Sequence, residues 1–266
     1  MPLYHYTDIN AVQSVITKGK LWLTHLSFMN DKRELVEGLD RYINVLKTHK
    51  HNDIKISSQS QKEMIKFFEQ FKNPIYNVNY HNPIFVFSFC RHGDLLNQWR
   101  SYGLYEIQFD NEILYSEYEK NLYDCDYEND DSQIEKLINS KAYSITQILK
   151  NVLTQEEAER MIEEYFDVLE LVKDALVFKH SSFKDESEVR LIKEISSKHV
   201  KYRNKNNILI PYIELDIPKN AIKGIRIGPM GNQKLAHASL LMFLRNNEEY
   251  FEGVDVTTSD VPYREL

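Results

Sequence analysis

The sequence predicts an α+β protein, read as a single domain over residues 1–266, and three observations predict it. Ile84-Phe85-Val86-Phe87-Ser88-Phe89-Cys90, introduced by Pro83, has the apolar, aromatic run of a buried central strand. Segments such as Asn30–Lys47 and Gln61–Phe71 repeat apolar residues every three or four positions, as amphipathic helices do. The last third turns to short strands.

In chain order, Leu3 to Thr7 reads as a strand and Ile9–Lys18 as a helix, with Thr7 or Asp8 as N-cap and Gly19 as stop. Leu21-Trp22-Leu23 is a second short strand. The helix from Asn30-Asp31 to Lys47 presents Leu35, Leu39, Tyr42, Ile43 and Leu46 on one face. The next presents Met64, Ile65, Phe68 and Phe71 and ends at Asn73-Pro74. After the central strand, a short helix capped by Asp94 carries Trp99 and Tyr102, and Tyr105–Phe109 alternates as a strand. Ser132–Leu153 and Thr154–Val177 read as two helices, the second opened by a Thr154/Glu157 capping box. They form an inserted or appended helical pair around residues 132–177, and the acidic stretch Asp124–Asp131 before them reads as a mobile loop. Strands follow at Ser187–Ile195, Val200–Arg203, Ile208–Asp216 and Ile225–Ile227. A helix at Gln233–Arg245 and a strand at Val254–Thr258 close the chain.

Composition narrows the function classes. Hydrophobic residues make up 42% of the chain and aromatics 12%, ample for a large core. With 33 Lys+Arg against 40 Asp+Glu, the net charge of −7 argues against a general nucleic-acid binder. It leaves transient contact with nucleic acid open. Two cysteines, Cys90 and Cys125, make no disulfide framework. Met1-Pro2-Leu3-Tyr4-His5 has no signal-peptide pattern, and no apolar run has membrane-spanning length. The expected compartment is the cytoplasm, with no membrane contact. Eight glycines provide neither a Walker loop nor a dinucleotide fingerprint.

Several constellations could carry chemistry. In Tyr4-His5-Tyr6-Thr7, a histidine can bond a ribose hydroxyl and a tyrosine can stack on a flat heterocycle. The alternative is a strand histidine bonded to a backbone carbonyl. Ser88 can brace a carboxylate or touch a ligand, and Cys90 reads either as an inert buried thiol or as a nucleophile. Trp99 and Tyr102, three apart, project from one helix face, as core packing or as a pocket wall. Glu186, Glu188 and Arg190 alternate at strand period, so two carboxylates and a guanidinium share a face, either as acid/base machinery or as a salt-bridged edge. His49 and His51 lack a second ligand pair, so no metal is expected. Lys193–Lys205 is rich in cations and is either a phosphate contact or a solvated face.

These residues, taken in order, resemble a bacterial family known only as a domain of unknown function. The shared marks are Leu-Tyr-His-Tyr-Thr, Leu-Trp-Leu followed by Asn30-Asp31, the Phe-Ser strand, Trp99-x-x-Tyr102, Lys179-His180 before Phe183, and Glu186-x-Glu188-x-Arg190. The ending Ser259-Asp260-Val261-Pro262-Tyr263-Arg264 is similar too. Phe183 stands where a Trp is common, and Arg100-Ser101 replaces a Ser-His pair. The opening and the Glu-x-Glu pair also resemble ADP-ribosyltransferase toxins that modify DNA. That resemblance implies a split antiparallel sheet with flanking helices, holding NAD as substrate without a metal. It implies catalytic Glu188, Glu186 and Arg190, and cofactor contacts from His5, Tyr6, Thr7, Ser88, Trp99 and Tyr102. The implied activity is NAD-dependent ADP-ribosyl transfer by a toxin or anti-phage effector onto nucleic acid or protein, and the cations of Lys193–Lys205 tilt the choice toward nucleic acid. A neutralising antitoxin is the partner such an effector implies. The alternatives are NAD hydrolysis and a non-catalytic nucleotide-binding or protein-interaction module of the same fold.

Overall fold

The structure is a computed structural model. It describes residues 1–29, 33–48, 58–79, 83–128, 131–139, 168–205, 207–218, 220–247 and 253–262. Asn30-Asp31, His49, His51, the Thr154/Glu157 capping box and most of the expected helical pair lie outside them. The chain resolves into two compact units. One comprises Met1–His25, Ile84–Asp124 and Lys184–Leu266, the other Leu26–Pro83 and Cys125–Phe183.

The first unit is built on a ten-stranded mixed sheet. Its strands are β1 (Leu3–Thr7), β2 (Lys20–His25), β3 (Ile84–Cys90), β4 (Tyr105–Phe109), β5 (Leu122–Asp124), β6 (Glu188–Glu194), β7 (Lys201–Lys205), β8 (Ile208–Asp216), β9 (Ile222–Ile227) and β10 (Asp255–Thr258). All pairings are antiparallel except that of β10 with β9. Alternate residues of each strand point to opposite faces. One face brings Leu21, Leu23, Phe85, Phe87, Phe89, Val189 and Leu191 into the main core. Helix α1 (Ile9–Lys18) packs Val12, Val15 and Ile16 there, and the closing helix Gln233–Arg245 adds Leu240 and Leu244. Asp8 caps α1 by accepting the Ala11 N–H, and Gly19, at φ 60°, ends it in the left-handed conformation that favours glycine.

The second unit is helical among its described residues. Helices α2 (Arg33–Thr48), α3 (Ser58–Phe71) and α4 (Pro74–Asn79) are followed by helical residues 132–139 and the helix Val168–Val177. The α2 stripe of Leu35, Leu39, Tyr42, Ile43 and Leu46 is buried as the periodicity predicts. In α3 the buried face is Met64, Phe67, Phe68 and Phe71, so Phe67 takes the place expected for the half-buried Ile65. Helix α3 ends at Phe71, just ahead of Asn73-Pro74 as the sequence predicts. Pro74 also starts a new helix, α4, the first helical position being where proline's missing N–H costs nothing.

Two further differences stand in the first unit. Asp94 does not cap the helix α5 (Leu96–Tyr102), whose N-cap is Leu95 with no side-chain bond. A short helix α6 (Asn111–Tyr118) follows β4, with Asp110 accepting the Glu112 and Ile113 N–H groups at 2.9 and 3.2 Å. No helix among the described residues is long and apolar enough to cross a membrane.

Candidate functional site

Strand β3 organises the site. One of its edges pairs with β6 over its whole length, Ile84 opposite Glu194 to Cys90 opposite Glu188. The other edge is shared: Cys90 faces Tyr4 of β1, while Val86 and Phe85 face Thr24 and His25 of β2. The sheet therefore divides along this edge into a β1-β4-β9-β10 wing and a β2-β8-β7 wing. Between the two paired stretches lies Ser88, whose carbonyl accepts the Nδ1–H of His5 at 2.9 Å. A carbonyl only accepts, so the neutral ring carries its hydrogen on Nδ1 and offers Nε2 as an acceptor. With Nδ1–H committed to Ser88, the neutral ring can accept a hydrogen bond at Nε2 but has no second N–H to donate.

Burial of the ring is the larger influence on His5, pushing its pKa down to about 4; the Ser88 bond opposes it. The imidazole packs on Phe87 with centroids 4.1 Å apart. By strand alternation His5 belongs to the face of Phe87, not to that of Glu188. Strand carbonyls, however, lie in the plane of the sheet. The ring that bonds one leans into the gap between the wings.

Opposite that edge, Ser88 pairs with Arg190 and Cys90 with Glu188, so these four share a face. Arg190 forks onto Glu188, Nε to Oε1 at 2.7 Å and Nη2 to Oε2 at 3.0 Å. Both are buried, Arg190 to 1% exposure and Glu188 to 6%. This is neither an exposed edge nor a repelling pair of carboxylates. Glu186 lies outside the strand, at the end of the 3₁₀ turn Ser181–Glu186, because Ser187 at φ 43° breaks the alternation before β6 begins. Glu186 and Glu188 are therefore not paired at strand period, although both side chains are buried. The Glu186 carbonyl accepts the Cys90 thiol at 2.6 Å. Desolvation pushes that thiol up to about 11, which disfavours the thiolate a nucleophile needs.

The aromatic candidates separate. Tyr6 is buried, edge-on to Trp99 at 4.8 Å, and its hydroxyl donates to the His92 carbonyl and accepts the Leu95 N–H. Burial raises its pKa, and no ring face remains to stack on a ligand. Trp99 is 2% exposed and donates Nε1–H to Asp94, whereas Tyr102 is 39% exposed. Both lie in α5 three residues apart, and they differ in exposure: Trp99 packs inside and Tyr102 lies at the surface. Thr7 is buried in β1, and Ser88 is half-buried.

A second polar network escaped sequence reasoning. Glu106 of β4 accepts Arg226 Nη1 of β9 at 2.9 Å and the Asp94 N–H at 2.6 Å. Asp94, at φ 61°, also accepts the hydroxyl of Ser259, which itself accepts the Val261 N–H at 3.1 Å. Burial raises the Glu106 pKa, and the Asp94 N–H and Arg226 act against it. Tyr6 stands opposite Glu106, so this network shares its face with Cys90 and Glu188. The ending Ser259-Asp260-Val261-Pro262 was visible as a motif, but its anchor at Asp94 was not.

Among the described residues no group of three or more His, Cys, Asp or Glu is placed to hold a metal ion. No family model matches the chain, and comparisons with curated proteins and with solved structures return no match.

Proposed function

We propose that this protein is an NAD-dependent ADP-ribosyltransferase with a split-sheet transferase fold, a toxin or anti-phage effector in the cytoplasm. The observation that supports it is the divided edge of β3, with His5 leaning into the gap and the Glu188–Arg190 fork one strand away. A gap between two wings offers a site for an extended dinucleotide without glycine-rich phosphate loops.

In this reading His5 Nε2 accepts a hydroxyl of the adenosine-side ribose, and Ser88 borders the same gap. Tyr102, being exposed, is the candidate for stacking on nicotinamide; buried Tyr6 and Trp99 instead hold the β1–α5 contact, and Thr7 supports β1. Glu188 accepts the nicotinamide-ribose hydroxyl and opposes the positive charge that grows as the C1′–N bond breaks. Nicotinamide leaves with the bonding electron pair. The acceptor then adds to C1′ and gives its proton to Glu186. Arg190 orients Glu188. The acceptor is nucleic acid in preference to protein; water as acceptor makes the enzyme an NAD glycohydrolase.

A second reading, a nucleotide- or partner-binding module without turnover, is favoured by the depth of the Glu188–Arg190 pair, which suits a purely structural bridge. Nicotinamide release from NAD decides between them, measured with and without cell lysate or nucleic acid. Glu188→Gln should lower the rate by about 10²–10³. His5→Phe, outside the ion pair, should weaken NAD use through KM and covers the case in which Glu188→Gln does not fold, as circular dichroism will show. Absence of release from the wild-type protein under every condition would leave the binding module.

A further inference from the structure

The β2-β8-β7 wing carries a cationic cluster that neither the Glu188 chemistry nor the NAD gap uses. Arg203 of β7 lies over two rings, Trp22 of β2 at 5.5 Å and Tyr212 of β8 at 5.7 Å, which themselves pack 4.7 Å apart. Its Nη2 donates to Thr24 at 2.8 Å, and its Nε is buried with no partner among the described residues. Lys18, from the last turn of α1, sits 5.0 Å over the same Trp22 ring. Lys205 follows Arg203 on the same face of β7, two residues on.

The cluster has surplus charge. Lys20 and Lys201 are neutralised by Asp216 and Glu214. No ion pair is made by Lys18, Arg203 or Lys205 among the described residues. The carboxylate whose field reaches Arg203 is Asp8, already engaged in capping α1. Burial lowers the Arg203 pKa, so a guanidinium is being held here against its own desolvation. Two rings and a threonine fix its orientation, a costly arrangement for a group with nothing to bind. Its planar fork suits phosphate oxygens.

The register relates this wing to the rest of the same face. Arg203 stands opposite Ile210; on that face Tyr212 stands opposite Thr24, and Thr24 opposite Val86, the β3 neighbour of Ser88. From β7 through β8, β2 and β3 to β6 is four inter-strand steps, about 19 Å at the usual spacing. A polymer can span that distance while a single phosphate cannot.

We infer that the Lys18–Trp22–Arg203–Lys205 cluster binds the phosphodiester backbone of nucleic acid, and that it presents the acceptor strand to the site around Glu188. The second half rests on the transferase reading; the first does not. The rings orient Arg203 and the cations bind phosphates, so recognition here is of backbone rather than of sequence. The overall charge of −7 keeps such binding confined to this strip and dependent on low salt.

Fluorescence anisotropy of a labelled oligonucleotide, single-stranded and duplex in separate arms, tests this with the full chain and without NAD. Three phosphate contacts predict a slope of log K against log salt of about −2 for the single strand and nearer −3 for the duplex. Arg203→Gln should weaken binding about tenfold and flatten the slope by about 0.7–0.9. Lys18→Gln/Arg203→Gln/Lys205→Gln should abolish binding. Basal nicotinamide release without oligonucleotide should be unchanged in both variants, so a failed transferase reading and a failed binding site give different results. No binding of either nucleic acid, binding indifferent to the triple variant while its fold is intact, or equal affinity for polyglutamate would each overturn the inference.

Discussion

Lowering the pH should unfasten His5 before it affects most of the sheet. The ring is neutral in the folded state because burial holds its pKa near 4, against about 6.5 in the unfolded chain. A depressed histidine pKa means that the unfolded state binds the proton more tightly. The folded state therefore carries no penalty above about pH 6.5, and the penalty grows as pH falls toward 4. Between pH 7 and pH 5 the linkage amounts to about 2 kcal/mol, and to nearer 1 after allowing for the partial exposure of the ring. His5→Phe keeps the contact with Phe87 and removes the titration, at the cost of leaving the Ser88 carbonyl without its donor, about 1–3 kcal/mol at any pH. Urea unfolding of both proteins at pH 5, 6 and 7 gives the difference between them, from which groups common to both cancel. That difference should shrink by about 1–2 kcal/mol from pH 7 to pH 5. NMR titration of the imidazole gives the pKa directly. A wild-type-minus-variant difference that does not move with pH, or a His5 pKa near 6.5, would refute the tautomer and the burial argument together.

Other perturbations are smaller in scope. Glu188→Gln removes the carboxylate partner of a guanidinium that is 1% exposed and should cost about 3–5 kcal/mol in urea. Glu188→Met/Arg190→Met should recover most of that loss, and equal instability of the single and double variants would contradict it. Gly38→Ala reverses the usual sign for a helix interior: propensity favours alanine by about 1 kcal/mol, but a Cβ here would stand 2.0 Å from the Ala175 carbonyl oxygen. Separating the two helices should leave a net loss of about 2 kcal/mol, read from the melting temperature. Cys90 should resist a disulfide reagent at pH 8 in the native protein and react on unfolding, since burial raises its thiol to about 11; rapid native labelling at that site would show the strand to be open.

Local signals were legible in the sequence wherever they were strong. Gln233–Arg245 and Ile208–Asp216 have the bounds that periodicity and alternation assign. The central strand was readable because both its faces are largely buried, so its apolar run is nearly unbroken. The short α6 was missed although Asp110 offers a cap, because so brief a helix shows little amphipathic period. At the site, Glu188 and Arg190 were readable together because two residues of spacing in a strand guarantees a common face. The ion pair of Arg226 with Glu106 joins residues 120 apart, and no local pattern announces it. Tyr6, Trp99 and Tyr102 look alike as aromatic candidates; which of them is accessible depends on how α5 lies on β1, a tertiary choice that residue type does not encode.

The shared edge of β3 also bears on how the chain acquires its structure. The thiol of Cys90 and the carbonyl it meets at Glu186 are separated by 96 residues of sequence. Closing so long an excursion carries an entropic cost before any contact compensates it, which places folding toward the slow end for domains of this size. During synthesis at about 5–20 residues per second, Ile84–Cys90 would wait some 5–20 seconds for β6 to be made. Throughout that interval this almost wholly apolar strand has one edge without its final partner. A chain of this design has reason to engage a holding chaperone while nascent, and cannot assemble the surroundings of Glu188 until β6 has been translated.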